Sequence, residues 1–222
     1  MDIKPLAGLT KTLCVLLKIN IAIMAVAILA GFYQYNTLSN LLSGVEPDEI
    51  FLPSDVVTAG VGLIQSVLAI ILGITFLRWI YRTNKNLHAF SGERMTFTPG
   101  WSVGWYFIPI ANLFKPYQVM KEIWQISHKN RAATLSIIGW WWALWFISNV
   151  LGRLVVKLIL QADDIAGYMA STMTYMVADG VELVLNIVAL VLVTRIGIAY
   201  SRNIVEQAMP SDGESASLHP GQ

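Results

Sequence analysis

Charge, cysteine and histidine are all scarce in this 222-residue chain. Charged side chains make up 13% of it, about half the usual share of a soluble domain. A formal net charge of +1 excludes bulk nucleic-acid binding, which needs a concentrated basic surface. The single cysteine, Cys14, excludes an internal disulfide and a multi-thiolate metal site. His88, His128 and His219 stand far apart without ligand spacing, so neither metal nor other cofactor is expected. There is no nucleophile elbow, phosphate loop or carboxylate cluster, and no enzyme is expected.

What is present is apolar: hydrophobic residues are 55% of the chain. Four runs of near-spanning length predict an all-α membrane protein with transmembrane helices at about 13–33, 56–77, 134–152 and 180–200. Lys4, Lys11 and Lys18 ahead of Ala25-Val26-Ala27 resemble a signal peptide. The apolar run continues to Phe32, however, which favours a retained span. Residues 1–202 read as one polytopic domain, and 203–222, rich in serine, proline, glycine and acids, as a disordered tail.

Lysine and arginine set the expected topology. The connection Gln34–Asp55 has none and holds Glu46, Asp48, Glu49 and Asp55; Leu158–Ala178 has none and holds Asp163 and Asp164. Both are expected outside. Arg78, Arg82, Lys85 and Arg94 follow the second span, and Lys115, Lys121, Lys129 and Arg131 precede the third. Those clusters are expected in the cytoplasm, with both chain ends.

Between the two basic clusters lies PGWSVGWYFIPIANLFKP, residues 99–116. Its apolar core, Trp101 to Phe114, would rise only about 21 Å as a helix, against roughly 30 Å of hydrocarbon. Pro109 interrupts helical bonding at its middle, and a full crossing would put one basic flank outside. The expectation is a re-entrant or interfacial segment that returns to its own side, with Asn112 satisfying a freed backbone group. A fifth, kinked span at about 97–120 is the alternative. Pro116 then opens a helix at about 116–127 whose Val119, Met120, Ile123 and Trp124 share one face. That pattern predicts a helix lying in the membrane surface, with Trp124 at headgroup level. Trp101, Trp105, Pro109, Asn112 and Pro116 are the candidate interaction or pore residues.

Ionisable residues inside spans are functional candidates because hydrocarbon disfavours them. Glu182 and Asn186 share a face of the last span, and Asn149, Arg153 and Lys157 share one on the third. Arg153, Glu182 and Asn186 thus form a candidate intramembrane polar group; a plain salt bridge locking two helices is the simpler outcome. Gln65 is expected to bond between helices, and Trp140, Trp141, Trp142 and Trp145 to pack or anchor at the interface.

The run Arg78-Trp79-Ile80-Tyr81-Arg82-Thr83-Asn84-Lys85-Asn86-Leu87 carries a resemblance. So do Phe97-Thr98-Pro99-Gly100-Trp101-Ser102-Val103-Gly104-Trp105-Tyr106-Phe107-Ile108-Pro109 and Ala111-Asn112-Leu113-Phe114-Lys115-Pro116-Tyr117-Gln118-Val119-Met120. From roughly Gln65 to Ala199 the chain resembles the bacterial membrane proteins grouped as domain of unknown function forty-three twenty-eight. The resemblance implies a cytoplasmic-membrane protein and carries no activity or ligand. The expected role is a non-enzymatic scaffold or regulatory module that presents its hairpin to a partner or to lipid, with the bilayer and a protein partner or second copy as contacts. A small oligomeric channel or transporter, its pore lined by the re-entrant segment, is the alternative.

Overall fold

The computed structural model describes residues 6–45, 53–90, 95–129 and 136–208. Two long helices, α1 (Ala7–Leu42) and α2 (Pro53–Phe90), are followed by a short α3 (Pro99–Gly104). Single 3₁₀ turns at Trp105–Phe107 and Ala111–Leu113 lead into α4 (Lys115–Ser127), then α5 (Ser136–Gln161) and α6 (Ile165–Ala208). The described residues contain no strand, and α1, α2, α5 and α6 are long and apolar enough to cross a membrane. The all-α, four-span architecture is therefore present.

The helices run further than their apolar cores. With 44 residues, α6 rises about 66 Å, more than twice the roughly 30 Å of hydrocarbon. Residues 203–208, expected in a disordered tail, are its last turns; 209–222 lie outside the described residues. So do Glu46, Asp48, Glu49, Arg94, Arg131 and residues 134–135. The acidic connection expected over Leu158–Ala178 contracts to the turn between Gln161 and Ile165. There Asp164 caps α6, its Oδ1 accepting from the Gly167 amide at 2.7 Å.

Buried positions on α1 recur in steps of three and four: Leu13, Leu17, Asn20, Met24, Ala27, Ala30, Gln34 and Leu38. That stripe faces the bundle, and the rest of the helix is left for lipid. It packs chiefly on α6 and α2, while α5 packs on α6. Cross-helix contacts fix the directions. On α1, Thr10 meets Gly197 and Trp79, Asn20 meets Asn186, and Gln34 meets Asp55. Hence α2 and α6 both run antiparallel to α1. Rising α1, falling α2, rising α5 and falling α6 leave α3, the 3₁₀ turns and α4 at one end of the bundle, the hairpin end. Both ends of the described chain, Leu6 and Ala208, lie there too.

This arrangement decides between the two sequence expectations for residues 97–120. No continuous helix occupies them, and α2 ends at the same end of the bundle from which α5 starts. The segment returns to its own side, as a hairpin does.

The surface-helix expectation for α4 needs correction. Val119, Met120, Ile123 and Trp124 are at most 5% exposed, packed in the main core with Trp79, Ile80, Leu87, Leu192 and Ile196. Overlong α2 and α6 supply this cover beyond their apolar spans, so protein, not headgroups, meets the apolar face. Asn203 secures the join, donating through Nδ2 to the Ser127 carbonyl at 2.7 Å. Elsewhere large apolar side chains such as Leu63, Ile70 and Ile74 on α2 and Leu160 on α5 are exposed. Such a surface needs lipid around it.

The α1–α6 seam is tight at both ends. A Cβ added at Gly31 would sit 2.5 Å from Met176 Cγ, and one at Gly197 would sit 2.9 Å from Thr10 Cγ2. Leucine at either position should therefore cost about 1–3 kcal/mol by overpacking. Leucine at Gly60, where an added Cβ meets nothing within 4 Å, should be neutral. Thermal unfolding in detergent checks this, and equal melting of all three variants would contradict the close seam.

Candidate functional site

The hairpin begins with a capped turn. Thr98 is extended, with ψ of 156°, and its Oγ1 accepts from the Trp101 amide at 3.4 Å. Pro99 at the helix start has no amide proton to satisfy. Gly104 makes room for Trp101, since an added Cβ would lie 3.2 Å from its ring. Trp101 stacks on Trp105 with ring centroids 4.6 Å apart. Beyond Pro109 the Asn112 amide donates to the Ile108 carbonyl at 2.8 Å, carrying the backbone across the break. It is thus the backbone of Asn112 that bridges the break; its buried side-chain Oδ1 has no partner among the described residues.

Two charged side chains from α4 hold this backbone in place. The Glu122 carboxylate accepts from the amides of Thr96 and Phe97, the latter at 3.2 Å. Lys115 Nζ lies 5.4, 5.5 and 5.7 Å from the ring centroids of Phe97, Trp105 and Phe114, and also donates to Gln118 Oε1 at 3.2 Å. One cation thereby ties the start, middle and end of the hairpin together, in a geometry of cation–π attraction. Pro116 is buried behind it. The sequence reading gave Lys115 only a topological role and Glu122 none.

The hairpin has two unlike sides. Tyr106 turns inward, and burial pushes its phenol above the ordinary tyrosine range. Its hydroxyl and the indole nitrogen of Trp105 are buried and find no partner among the described residues. Phe107 and Ile110, beside exposed Pro109, are 72% and 75% exposed, and Leu113 and Phe114 are exposed as well.

The intramembrane candidates do not form the expected pair. Arg153, Glu182, Asn149 and Trp145 line one cleft between α5 and α6, but no ion pair within 4 Å is found among the described residues. Arg153 and Lys157 stand on the exposed side of α5. Asn149 bonds back to its own helix, to the Trp145 carbonyl at 2.8 Å. Asn186 turns to α1 and accepts from Asn20 Nδ2 at 3.2 Å.

The polar groups that do join helices are mostly ones the sequence reading passed over. Gln65 was expected to bond between helices and does. Its Nε2 donates to Asp179 Oδ1 at 3.0 Å, and its Oε1 accepts from the Tyr175 hydroxyl. Gln34 donates to Asp55 at 2.6 Å, and Asn86 to the Tyr200 hydroxyl at 2.9 Å. Asn20 stands on the buried stripe of α1, so a polar residue in register with that stripe was the available signal. Asp179 sat at an expected loop boundary and gave none.

Removing the Glu122 carboxylate should loosen the hairpin without unfolding the bundle. Charge-assisted bonds of this kind contribute about 1.5–3 kcal/mol. Glu122→Ala should speed amide exchange at Thr96 and Phe97 and leave α1 and α6 protected, with Glu122→Gln intermediate. Hydrogen-exchange mass spectrometry reads this; unchanged exchange there would contradict the tether.

No curated protein and no solved structure matches the chain. One family model matches, described as a domain of unknown function, DUF4328, over residues 44–197. The matched region contains α2, the hairpin, α4, α5 and most of α6, including the Glu122 and Lys115 anchors. On that match over most of its length, this four-span chain belongs to the DUF4328 family.

Proposed function

We propose that this protein is a non-enzymatic module of the bacterial cytoplasmic membrane whose hairpin immerses its apolar tip in the cytoplasmic leaflet. The observation that carries the reading is the exposure of Phe107 and Ile110 on a segment clamped from beneath by Lys115 and Glu122. Apolar groups so displayed at one end of a membrane bundle are stabilised by acyl chains, and a rigid hairpin loses little entropy on insertion. Charge distribution supports the orientation. Lys11, Arg78, Arg82, Lys85, Lys121, Lys129 and Arg202 sit toward the hairpin end, while Asp55, Asp163 and Asp164 sit at the other. A cytoplasmic hairpin end, with both chain ends inside, satisfies both sets; Arg153 and Lys157, toward the acidic end of α5, are the exceptions.

The channel reading draws less support. Interior polar groups such as Gln65, Asp179, Asn20 and Asn186 make bonds between helices, and the hairpin packs under the bundle with Tyr106 inward.

Lipid contact can be read directly at the tip. In a Cys14→Ser background, Phe107→Cys carrying an environment-sensitive fluorophore should emit as if in hydrocarbon and be quenched by spin-labelled lipid. A water-like emission that spin-labelled lipid leaves unchanged would overturn the reading, and protection only on adding cytosolic protein would favour a protein partner instead.

A further inference from the structure

A second feature lies deeper in the bundle and rests on the four-span reading alone, not on the hairpin's contact with lipid. Helices α2 and α5 barely touch; their link is Phe76 against Trp141, ring centroids 5.9 Å apart. Between them, with α1 and α6 as the floor, a cavity of about 280 Å³ remains. Apolar and aromatic groups make most of its wall, among them Leu72, Phe76, Trp141 and Trp145. Against that wall stand Glu182 and Asn20 from the floor and Tyr106 from the hairpin. No lysine or arginine lines it; Arg153 shares only the adjoining α5–α6 cleft with Glu182.

The polar groups here are left incomplete. Asn20 donates to Asn186, and its buried Oδ1 has no partner among the described residues. The Tyr106 hydroxyl is likewise buried and without a partner among them. The Glu182 side chain makes no hydrogen bond or ion pair among the described residues. The Asn20 oxygen and the Tyr106 hydroxyl are sealed behind the wall, so the Glu182 carboxylate is the acceptor left to the cavity. Leaving a carboxylate unmatched in a membrane interior is costly. The group that satisfies it carries N–H donors and a positive charge, and aromatic faces beside it add to the attraction.

We propose that this cavity binds a lipophilic amine, its protonated head at Glu182 and its chain along Phe76, Leu72 and Trp145. The size, just under the roughly 300 Å³ at which common ligand pockets begin, limits the occupant to a single small amphiphile. Glu182, a candidate from sequence as half of an ion pair, becomes the counter-charge of a ligand instead.

The test uses the full-length protein in detergent with brominated dodecylamine, whose bromine quenches nearby tryptophan, and the matching alcohol and carboxylate. The amine should quench saturably, the alcohol more weakly, and the carboxylate not at all. Glu182→Gln should weaken the amine about tenfold, roughly 1.4 kcal/mol. Gly73 lines the cavity, and an added Cβ there meets nothing within 4 Å. Gly73→Leu should therefore fill the space and abolish quenching while keeping the melting temperature, which decides the matter if Glu182→Gln fails to fold. Amine affinity unchanged by Glu182→Gln, or by Gly73→Leu, overturns the proposal, as does carboxylate binding equal to the amine.

Discussion

A backbone broken next to a bilayer must have its polar groups and its position secured by protein, because lipid offers no hydrogen bonds. In this molecule the break is at Pro109, and much of the surrounding structure answers to it. The Asn112 amide spans the interruption, Glu122 takes the amides at the entry, and Lys115 gathers three aromatic rings around one cation. Those anchors sit on α4, which has to be immobile for them to hold. Its immobility comes from full burial of Val119, Met120, Ile123 and Trp124, which in turn requires α2 and α6 to extend past the hydrocarbon. The lengths of two spanning helices are thus tied to an eighteen-residue hairpin.

Farther along the bundle the same helices are joined by a series of polar links: Gln34 to Asp55, Gln65 to Asp179 and Tyr175, Asn20 to Asn186. In a bundle whose outer surface is as apolar as lipid, the hydrophobic effect does little to choose partners. Close glycine contacts and these bonds set which faces meet and in what register. They concentrate on α1, α2 and α6, and α5 takes little part beyond its packing on α6. Its separation from α2 is what leaves the cavity at Glu182 open.

The four spans and the returning hairpin were legible in the sequence, since hydropathy reports lipid contact and the short apolar run broken at Pro109 reports a segment unable to cross. Helix ends were not: residues 203–208 and the stretch before Gly180 looked like tail and loop because their helicity depends on neighbours. Amphipathic spacing in α4 marked the right face but not its cover, because periodicity cannot tell a headgroup layer from a protein core. The Arg153–Glu182 pairing failed on a similar point. Spacing along each helix was right, yet the rotation of α5 against α6 is a tertiary quantity. Lys115 looked like one topological charge among many, and only the fold brings Phe97, Trp105 and Phe114 around it.

The central claim is that residues 99–116 leave and re-enter the same face of the membrane, with both hairpin flanks on one side and the α5–α6 turn on the other. Substituted-cysteine labelling tests it most directly. In a Cys14→Ser background, a membrane-impermeant maleimide applied to intact cells should modify Asp164→Cys and leave Thr96→Cys and Gln118→Cys untouched until the membrane is opened. Labelling of Thr96→Cys or Gln118→Cys, but not both, from outside would mean that the segment crosses, and would contradict the account.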